Sequence, residues 1–362
     1  MIGSAFRTLV AAAILATAAS QADAGELKKV KIGIGTQVVN LTYPWLTIPQ
    51  ALGWWRDEGL DVTVVPVSGS LQATQLLAAG SIDFAEMNTS AIIQANVANN
   101  IPIRAVMVNT VLDWSIVSLA DGPVKKPSDL KGKTIGVLSL ASSGTSLLKA
   151  YLAKNGLDPD KDIKIVATGA GAPALQALNG DRVQALMFWA SMNASLENQG
   201  AKLSYFYLDT WRHMPDFSLA TLQAKIDSDP DLVKKVAIGV AKGSVFAFAS
   251  PDCVRKVQWT KFSQTKPSGA PDEATAIAWD ANSLKASMTS MKAAFNAGGG
   301  KLWGSASPAD MDLVQQFMLQ TKQIDKTIDP SSYLIGTPDF WQSANDFDAD
   351  SVKKTAQDCQ AK

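Results

Sequence analysis

Three short turns of small residues in this chain have the composition that favours contact with a small anion. They lie at residues 68–70, 142–145 and 168–171, each between a predicted strand and a predicted helix. The first turn of a helix offers unpaired backbone N–H groups and the positive end of the helix dipole, which suit a carboxylate or sulfonate. A helix cap without any ligand is the alternative for each turn. The candidate ligand-binding residues here are Ser68, Gly69, Ser70, Ser142, Ser143, Gly144, Thr145, Gly169 and Ala170.

Polar and aromatic side chains follow several predicted strands, and one tryptophan lies in a connection between them. Flat rings accompanied by a few polar groups are typical of a small-ligand pocket. For any single tryptophan the alternative is core packing. The candidate residues of this kind are Gln37, Tyr43, Asn88, Thr89, Trp114, Trp189 and Asn193.

Arg212, next to Trp211, is a candidate counter-ion for an anionic ligand. A guanidinium group pairs with a carboxylate or sulfonate through two parallel hydrogen bonds. The alternative is a solvated arginine in a hinge, and the residues alone leave both open.

Features of catalysis are sparse. His213 is the only histidine, and the chain has no G-x-S-x-G motif. Residues 169–174 ("GAGAPA") fit the dinucleotide fingerprint G-x-G-x-x-G/A, but Pro173 interrupts its close packing and no acidic residue follows about 20 positions later. We therefore expect no catalytic residue, no metal ligand and no cofactor.

The elements that carry these residues form a repeated unit. Residues 65–88 ("VPVSGSLQATQLLAAGSIDFAEMN") and 165–189 ("IVATGAGAPALQALNGDRVQALMFW") each read as strand, turn, helix and strand. Strands that alternate with helices predict an α/β fold with largely parallel sheets. Ligands of such sheets bind beyond the carboxyl ends of the strands, which is where the turns and polar residues lie.

Two interruptions divide the alternation, at residues 109–118 and 209–217, and we interpret them as crossovers between two lobes. The predicted first lobe combines residues 25–115 with residues 212–362, and residues 116–211 form an inserted second lobe. The chain after the second interruption is predicted to be mostly helical. A single helix is predicted between a Thr42 cap and Gly59, although Pro49 lies inside it. The two lobes would face each other across a ligand cleft.

Composition agrees with a globular protein of two domains. The chain has 362 residues, 47% of them hydrophobic and 18% charged, with a formal net charge of zero. A phosphate-binding surface usually needs a basic excess, so the charge argues against nucleic acid as a partner.

The first 24 residues have the pattern of a secretory signal peptide. One arginine precedes a short apolar run, and Ala22-Asp23-Ala24 supplies small residues for cleavage near Ala24. A membrane anchor is the alternative, but the run is shorter than the about 20 residues that a span needs. We expect export to the periplasm. In that compartment Cys253 and Cys359 are expected to form a disulfide, with two buried free thiols as the alternative.

Four stretches resemble the periplasmic substrate-binding proteins of nitrate/taurine/sulfonate-type ABC importers, in the thiamine-pyrimidine-synthase-like superfamily. They are residues 43–87, residues 125–137 ("KKPSDLKGKTIGV"), residues 147–166 ("LLKAYLAKNGLDPDKDIKIV") and residues 177–189 ("ALNGDRVQALMFW"). The resemblance implies a two-lobed, type II periplasmic binding protein fold that closes around one small molecule. It implies a monomer that delivers its ligand to a membrane permease with a cytosolic ATPase.

The ligand expected from these features is a small organic acid, sulfonate or aromatic carboxylate, with nitrate and a neutral pyrimidine-like molecule as alternatives. A sensory binding protein that feeds a membrane receptor is an alternative role. A pyrimidine-synthase enzyme would need a cysteine-rich motif and several histidines, and a transcription regulator would need an N-terminal helix-turn-helix. This chain has Gly53-Trp54-Trp55 where the family usually has Gly-Tyr-Phe.

Overall fold

The computed structural model describes residues 26–359 and contains ten strands in two sheets. The predicted signal peptide therefore lies outside the described residues. In chain order the strands are β1 (Lys28–Ile34), β2 (Leu60–Pro66), β3 (Phe84–Asn88), β4 (Ile103–Val108), β5 (Ser115–Leu119), β6 (Thr134–Val137), β7 (Lys164–Ala167), β8 (Ala185–Phe188), β9 (Leu203–Phe206) and β10 (Phe217–Leu222).

Fourteen α-helices in the described residues flank the sheets and make up most of the C-terminal part. They are α1 (Pro44–Leu52), α2 (Trp54–Asp57), α3 (Ser70–Ala78), α4 (Thr89–Asn99), α5 (Ser143–Lys154), α6 (Ala172–Asn179), α7 (Ala190–Asn198), α8 (Gln223–Ser228), α9 (Pro230–Ala249), α10 (Pro251–Lys261), α11 (Glu273–Ala297), α12 (Pro308–Gln320), α13 (Phe340–Ala344) and α14 (Ala349–Asp358). None of these helices combines the length and apolar character needed to cross a bilayer.

Each sheet is mixed, with one strand reversed. The first sheet has the order β2-β1-β3-β10-β4, and only β10 runs against its neighbours. The second sheet has the order β7-β6-β8-β5-β9, and only β5 is reversed. The prediction of a two-lobed α/β fold with mostly parallel sheets is confirmed.

The reversed strands are the two that follow the crossovers, and the sequence analysis placed no strand at either position. A chain that leaves the carboxyl end of β4 is already at the cleft, so it enters the second sheet from that edge. It must then run away from the cleft, opposite to the strands whose carboxyl ends point toward it. The same argument applies to β10 on the return. Polar and turn-forming residues around β5 concealed its short apolar segment "SIVSL".

The segment predicted as one helix ending at Gly59 is two helices, α1 and α2. Gly53 separates them with φ = 76°, in the left-handed region that favours glycine. The residue at the N-cap of α1 is Tyr43 rather than the predicted Thr42, and Pro49 is accommodated inside α1. This break turns Trp55 into the core, where its Nε1 donates to Val236 O at 3.2 Å.

The C-terminal helices join the lobes as well as covering the first one. Asn198 of α7 donates to Trp279 O at 2.8 Å and accepts from Asn282 Nδ2 at 2.9 Å, so the long helix α11 contacts the second lobe. A disulfide links Cys253 of α10 to Cys359 at the end of α14. The polypeptide after β10 thus contacts both lobes.

Candidate ligand-binding site

A cavity lies between the two sheets, where the crossovers meet the N-terminal ends of α1 and α7. It contains about 440 Å³ of non-atom space, part of it continuous with solvent. The lining residues are Gly35, Thr36, Thr42, Tyr43, Trp45, Thr110, Asp113, Trp114, Trp189, Ser191, Asp216, Phe217 and Ser287.

Five aromatic rings form most of the wall. Tyr43 lies 5.6 Å from Trp45 and 5.9 Å from Phe217, measured between ring centroids. Trp114 of the first crossover and Trp189 at the end of β8 are 5.3 Å apart, with their planes at 56°. Rings from both lobes therefore face one small space, as the sequence analysis expected of Tyr43, Trp114 and Trp189.

Asp216, in the second crossover, is the most constrained acidic residue of the lining. Its Oδ1 accepts from Asn88 Nδ2 at 2.7 Å, and its Oδ2 accepts from Trp114 Nε1 at 3.1 Å. The Thr89 backbone N–H and hydroxyl donate to its main-chain oxygen. Burial raises the pKa of Asp216 to about 7, because the charged form loses its hydration. Asn88 and Thr89, predicted as ligand contacts, instead hold this carboxylate in place.

Asp113 is the second lining acid, one residue before Trp114. Its Oδ1 accepts from the Ala190 N–H at 3.3 Å, at the start of α7. Burial raises the pKa of Asp113 to about 6, and the charge of Arg212 opposes this only in part. The carboxyl thus connects the first crossover to the second lobe while it faces the cavity.

Arg212 does not line the cavity. Its Nη1 donates to Leu112 O at 2.7 Å and to Trp114 O at 3.3 Å, and its Nη2 donates to Ser115 Oγ at 3.1 Å. Its guanidinium also lies 4.2 Å from the centre of the Tyr207 ring. Of the two interpretations left open by the sequence, the geometry matches the hinge arginine, although this one is partly buried rather than solvated.

Glu86 lies behind the lining, fully buried on β3. Both carboxyl oxygens accept from Asn109 Nδ2, at 3.0 and 3.1 Å. Burial raises the pKa of Glu86 to about 8, and the nearby charge of Asp216 adds to the shift. Asp113, Asp216 and Glu86 are thus progressively more buried. Glu86, the most buried of the three, is mostly protonated at neutral pH.

The turns at residues 68–70 and 139–142 contact each other across the cleft, outside the cavity. Ser139 Oγ donates to Ser68 O at 2.5 Å, and the Leu71 N–H points to Ala141 O at 3.4 Å. A Cβ on Gly69 would lie 2.6 Å from Ala141 O, so the approach requires glycine there. The Leu71 N–H and the Ser139 hydroxyl thus face the backbone of the opposite lobe.

The start of α5 has a packing role. Ser142 Oγ accepts from the Gly144 N–H at 3.2 Å as a helix cap, and Thr145 Oγ1 donates to Ser139 O. A Cβ on Gly144 would lie 2.4 Å from Trp114 Cζ3. Gly144 therefore supports the Trp114 wall from behind, and neighbouring Ser143 is buried in the same turn.

The other predicted contacts lie away from the lining. Gln37 is exposed after β1, and Ser70 is buried with its hydroxyl bonded to Asn88. The Gly169 N–H donates to Leu138 O, and Ala170 packs on the core of the second lobe. Asn193 is buried on α7 and donates to Phe188 O at 3.3 Å.

Sequence reasoning did not select the two lining aspartates, Phe217 or Ser287. Asp113 stands beside Trp114, which was already chosen, and both aspartates lie in crossovers that were recognised as interlobe segments. An acidic residue in each crossover was the available signal. Ser287 had none, because it is 245 positions from Thr42, whose carbonyl accepts its hydroxyl at 2.6 Å.

Comparison with known proteins agrees with this architecture. A protein of Bordetella bronchiseptica RB50 superposes with a TM-score of 0.70 at 22% identity, over 88% of this chain and 98% of its own. The alkanesulfonate-binding protein SsuA from Xanthomonas axonopodis pv. citri, bound to MOPS, superposes with a TM-score of 0.63 at 17% identity, over 86% of this chain and 99% of its own. These likenesses concern the fold.

Two mixed sheets joined by paired crossovers around an interlobe cavity define the periplasmic binding protein fold. The chain belongs to the NMT1/THI5-like family, whose model matches residues 45–253. A candidate binding protein of Brucella abortus (strain 2308) is 27% identical over 207 residues, which are 55% of this chain and 61% of that protein. The chain thus spans about three fifths of the length of the curated relatives it matches.

Proposed function

We propose that this protein is the solute-binding component of an ABC importer, which closes its two lobes around one small organic molecule. The observation that carries the proposal is that both lobes contribute residues to the cavity wall. Tyr43 and Asp216 come from the first lobe and its crossover, whereas Trp189 and Ser191 come from the second lobe. A ligand between them would be fully held only when the lobes meet, which is how hinged binding proteins act.

The crossovers have the arrangement of a hinge. They run antiparallel and are bonded to each other, with the Leu112 N–H donating to Met214 O at 2.8 Å and the Asp216 N–H donating to Thr110 O at 2.9 Å. Arg212, in the second crossover, also donates hydrogen bonds to the main-chain oxygens of Leu112 and Trp114 in the first crossover. Because Asp113, Trp114 and Asp216 lie on these segments, contact with a ligand would act directly on the connection between the lobes.

Delivery to a membrane permease with a cytosolic ATPase, in the periplasm and as a monomer, completes the proposal. We propose no enzymatic activity. The single histidine, His213, ends the short 3₁₀ helix of the second crossover. Both cysteines are engaged in the disulfide. A sulfonate or other organic anion is the ligand expected from the sequence, and the SsuA likeness favours it by analogy of fold alone.

A thermal-shift screen on the protein from Gly25 onward tests the binding function, after partial unfolding and refolding to remove any carried ligand. The panel contains sulfonates, aromatic and aliphatic carboxylates, nitrate, pyrimidines, amines and quaternary ammonium compounds. A molecule that binds the native state raises the midpoint as its concentration rises. A concentration-dependent shift with one chemical class supports the proposal, and a flat response to every class contradicts it.

Trp189→Ala, with Trp303→Ala as the matched control, links that shift to the cavity. Both tryptophans are partly buried and contact two other rings, and Trp303 lies on Phe295 and Phe248, outside the lining. We expect Trp189→Ala to abolish the ligand-induced shift and Trp303→Ala to preserve it. Equal shifts in both variants would mean that the ligand binds elsewhere.

A further inference from the structure

We propose that the solute is an organic cation, a small molecule whose protonated or quaternary nitrogen lies among the cavity rings, with Asp113 and Asp216 as its counter-ions. The inference rests on the proposed binding function and changes the ligand class expected from the sequence. The charge of the lining and its aromatic rings carry it.

The lining contains two acids and no basic residue among the described residues. Asp113 and Asp216 both line the cavity, and none of the lining residues in the described part of the chain is a lysine or arginine. Arg212, the nearest guanidinium to Asp113, is committed to hinge oxygens. Buried carboxylates without a cation are costly, and burial raises both pKa values accordingly. A cationic ligand would offset this cost, and an anionic one would increase it.

The rings around these acids provide a second, independent attraction for a cation. Trp114, Trp189 and Tyr43 present large aromatic surfaces to the same space, and Phe217 closes one side. Ring faces carry negative electrostatic potential and attract ammonium groups, with tryptophan the strongest. This attraction grows when water is excluded, as it would be between closed lobes.

Unused hydrogen-bonding capacity also remains at the cavity. An ionised carboxylate has about four acceptor sites, and Asp216 uses one on each oxygen, for Asn88 and Trp114. Asp113 Oδ1 accepts from the Ala190 backbone N–H at 3.3 Å, and the Ser290 hydroxyl lies near the same carboxyl. The two carboxylates therefore retain acceptor sites for donors of a ligand.

Two other ligand classes fit less well. An anion would meet two carboxylates and no basic side chain in the described lining, and the small-residue turns at 68–70 and 139–142 lie outside that lining. For an inorganic cation, residues 26–359 contain no group of three or more His, Cys, Asp or Glu side chains arranged to hold a metal ion. Five rings around two carboxylates match an organic cation.

Probes of similar size and different charge test the inference. Calorimetry at pH 8 on the refolded protein would compare benzylamine, benzyl alcohol and benzoate, and also choline with 3,3-dimethylbutan-1-ol. We expect at least one cation to bind ten times or more tightly than its neutral partner, and benzoate to bind most weakly. Neutral or anionic probes that bind as well as the cations overturn the inference and leave the binding function standing. Absence of binding by every cation up to 10 mM also overturns the inference. If no compound of the wider thermal-shift panel binds either, the proposed binding function is contradicted as well.

Paired aspartate variants locate the charge. Asp216→Asn and Asp280→Asn form a matched pair, because both side chains are 5% exposed and both accept from a tryptophan Nε1, whereas Asp280 lies outside the lining. Asp113→Asn is the second site variant, should Asp216→Asn not fold. We expect a tenfold or greater loss of cation affinity in the site variants, unchanged affinity for the neutral isostere and no loss in Asp280→Asn. Equal affinity of wild type and Asp113→Asn for the cation would overturn the assignment of that residue.

Discussion

Trp114 Nε1 donates to Asp216 Oδ2 at 3.1 Å, across 102 positions of sequence. One residue lies in the crossover that leaves the first lobe, and the other lies in the crossover that returns to it. The bond therefore joins the two hinge segments at the wall of the cavity. A ligand that contacts either residue would act on the hinge and on the binding surface at once.

Replacing Trp114 by Phe keeps a ring in the wall and removes this donor. The hydrogen bond favours the ionised form of Asp216, so its loss should raise the pKa of that carboxyl further above about 7. Affinity for a cationic probe at pH 7 should fall roughly tenfold and recover at higher pH. Titration calorimetry between pH 6 and 9 measures both effects.

Trp259→Phe is the matched control, since Trp259 Nε1 donates to Asp280 Oδ2 at 2.7 Å outside the cavity. It should leave the pH profile of binding unchanged. A Trp114→Phe profile that overlays the wild-type profile would show that the bond has no part in binding.

Gly144→Ala tests the support behind Trp114. The added Cβ would meet Trp114 Cζ3 at 2.4 Å, so the ring or the helix must shift. We expect a loss of about 1–3 kcal/mol in the free energy of unfolding and weaker ligand binding. Urea unfolding and calorimetry measure these quantities.

Ser146→Ala, two positions further along α5, is the control for helix propensity. It should unfold at the wild-type urea concentration or slightly above it, because alanine favours a helix more than serine does, and it should bind normally. Retention of full stability and affinity in Gly144→Ala would mean that the helix adjusts without moving the ring.

Glu86→Gln should change how stability depends on pH. Below pH 4.5 the glutamic acid is protonated in both states, and between 4.5 and about 8 only the folded protein retains the proton. Wild-type stability therefore falls as pH rises through this window, at up to about 1.4 kcal/mol per pH unit. The variant lacks this slope. Its free energy of unfolding, relative to that of the wild type, should therefore increase from pH 5 to pH 8, as measured by urea unfolding. Parallel stability curves would contradict a buried, proton-retaining Glu86.

Reduction of the Cys253–Cys359 disulfide should lower stability without changing ligand binding. The bond closes a segment of 106 positions, for which loss of a crosslink costs roughly 2–5 kcal/mol. Neither cysteine lines the cavity. Chemical denaturation and calorimetry with and without reductant measure the two effects, and the double variant Cys253→Ser/Cys359→Ser controls for the reductant. Loss of binding on reduction would connect the C-terminal helices to the hinge.

Local patterns were sufficient for much of the fold. The strands and helices of the two repeated units follow from their periodicity, because a segment's own side chains decide which face is apolar. The strands β5 and β10 escaped prediction because their direction and pairing depend on how the chain crosses between lobes. The break at Gly53 was overlooked because glycine is compatible with a continuous helix until packing selects its left-handed conformation.

Part of the site was predictable for a related reason. Tyr43, Trp114 and Trp189 were recognised because large rings at strand ends and in crossovers favour a cleft. Gly69 and the other turn residues were chosen for free amide donors, but a sequence does not show what those donors meet.

The sequence by itself determined that this chain is a two-lobed α/β protein with two interlobe segments, since alternating elements and turn residues act over short distances. Only the tertiary structure decided the character of the cavity. Asp113, Asp216 and Ser287 reach one space because the crossovers pair and α11 folds back across both lobes. The same docking places the small-residue turns in contact with each other, outside the lining of the cavity. Long-range packing sets the hydrogen-bond partners of each charged group and the dielectric around it. It placed acids and rings in the cavity, whereas the turns alone had favoured an anionic ligand.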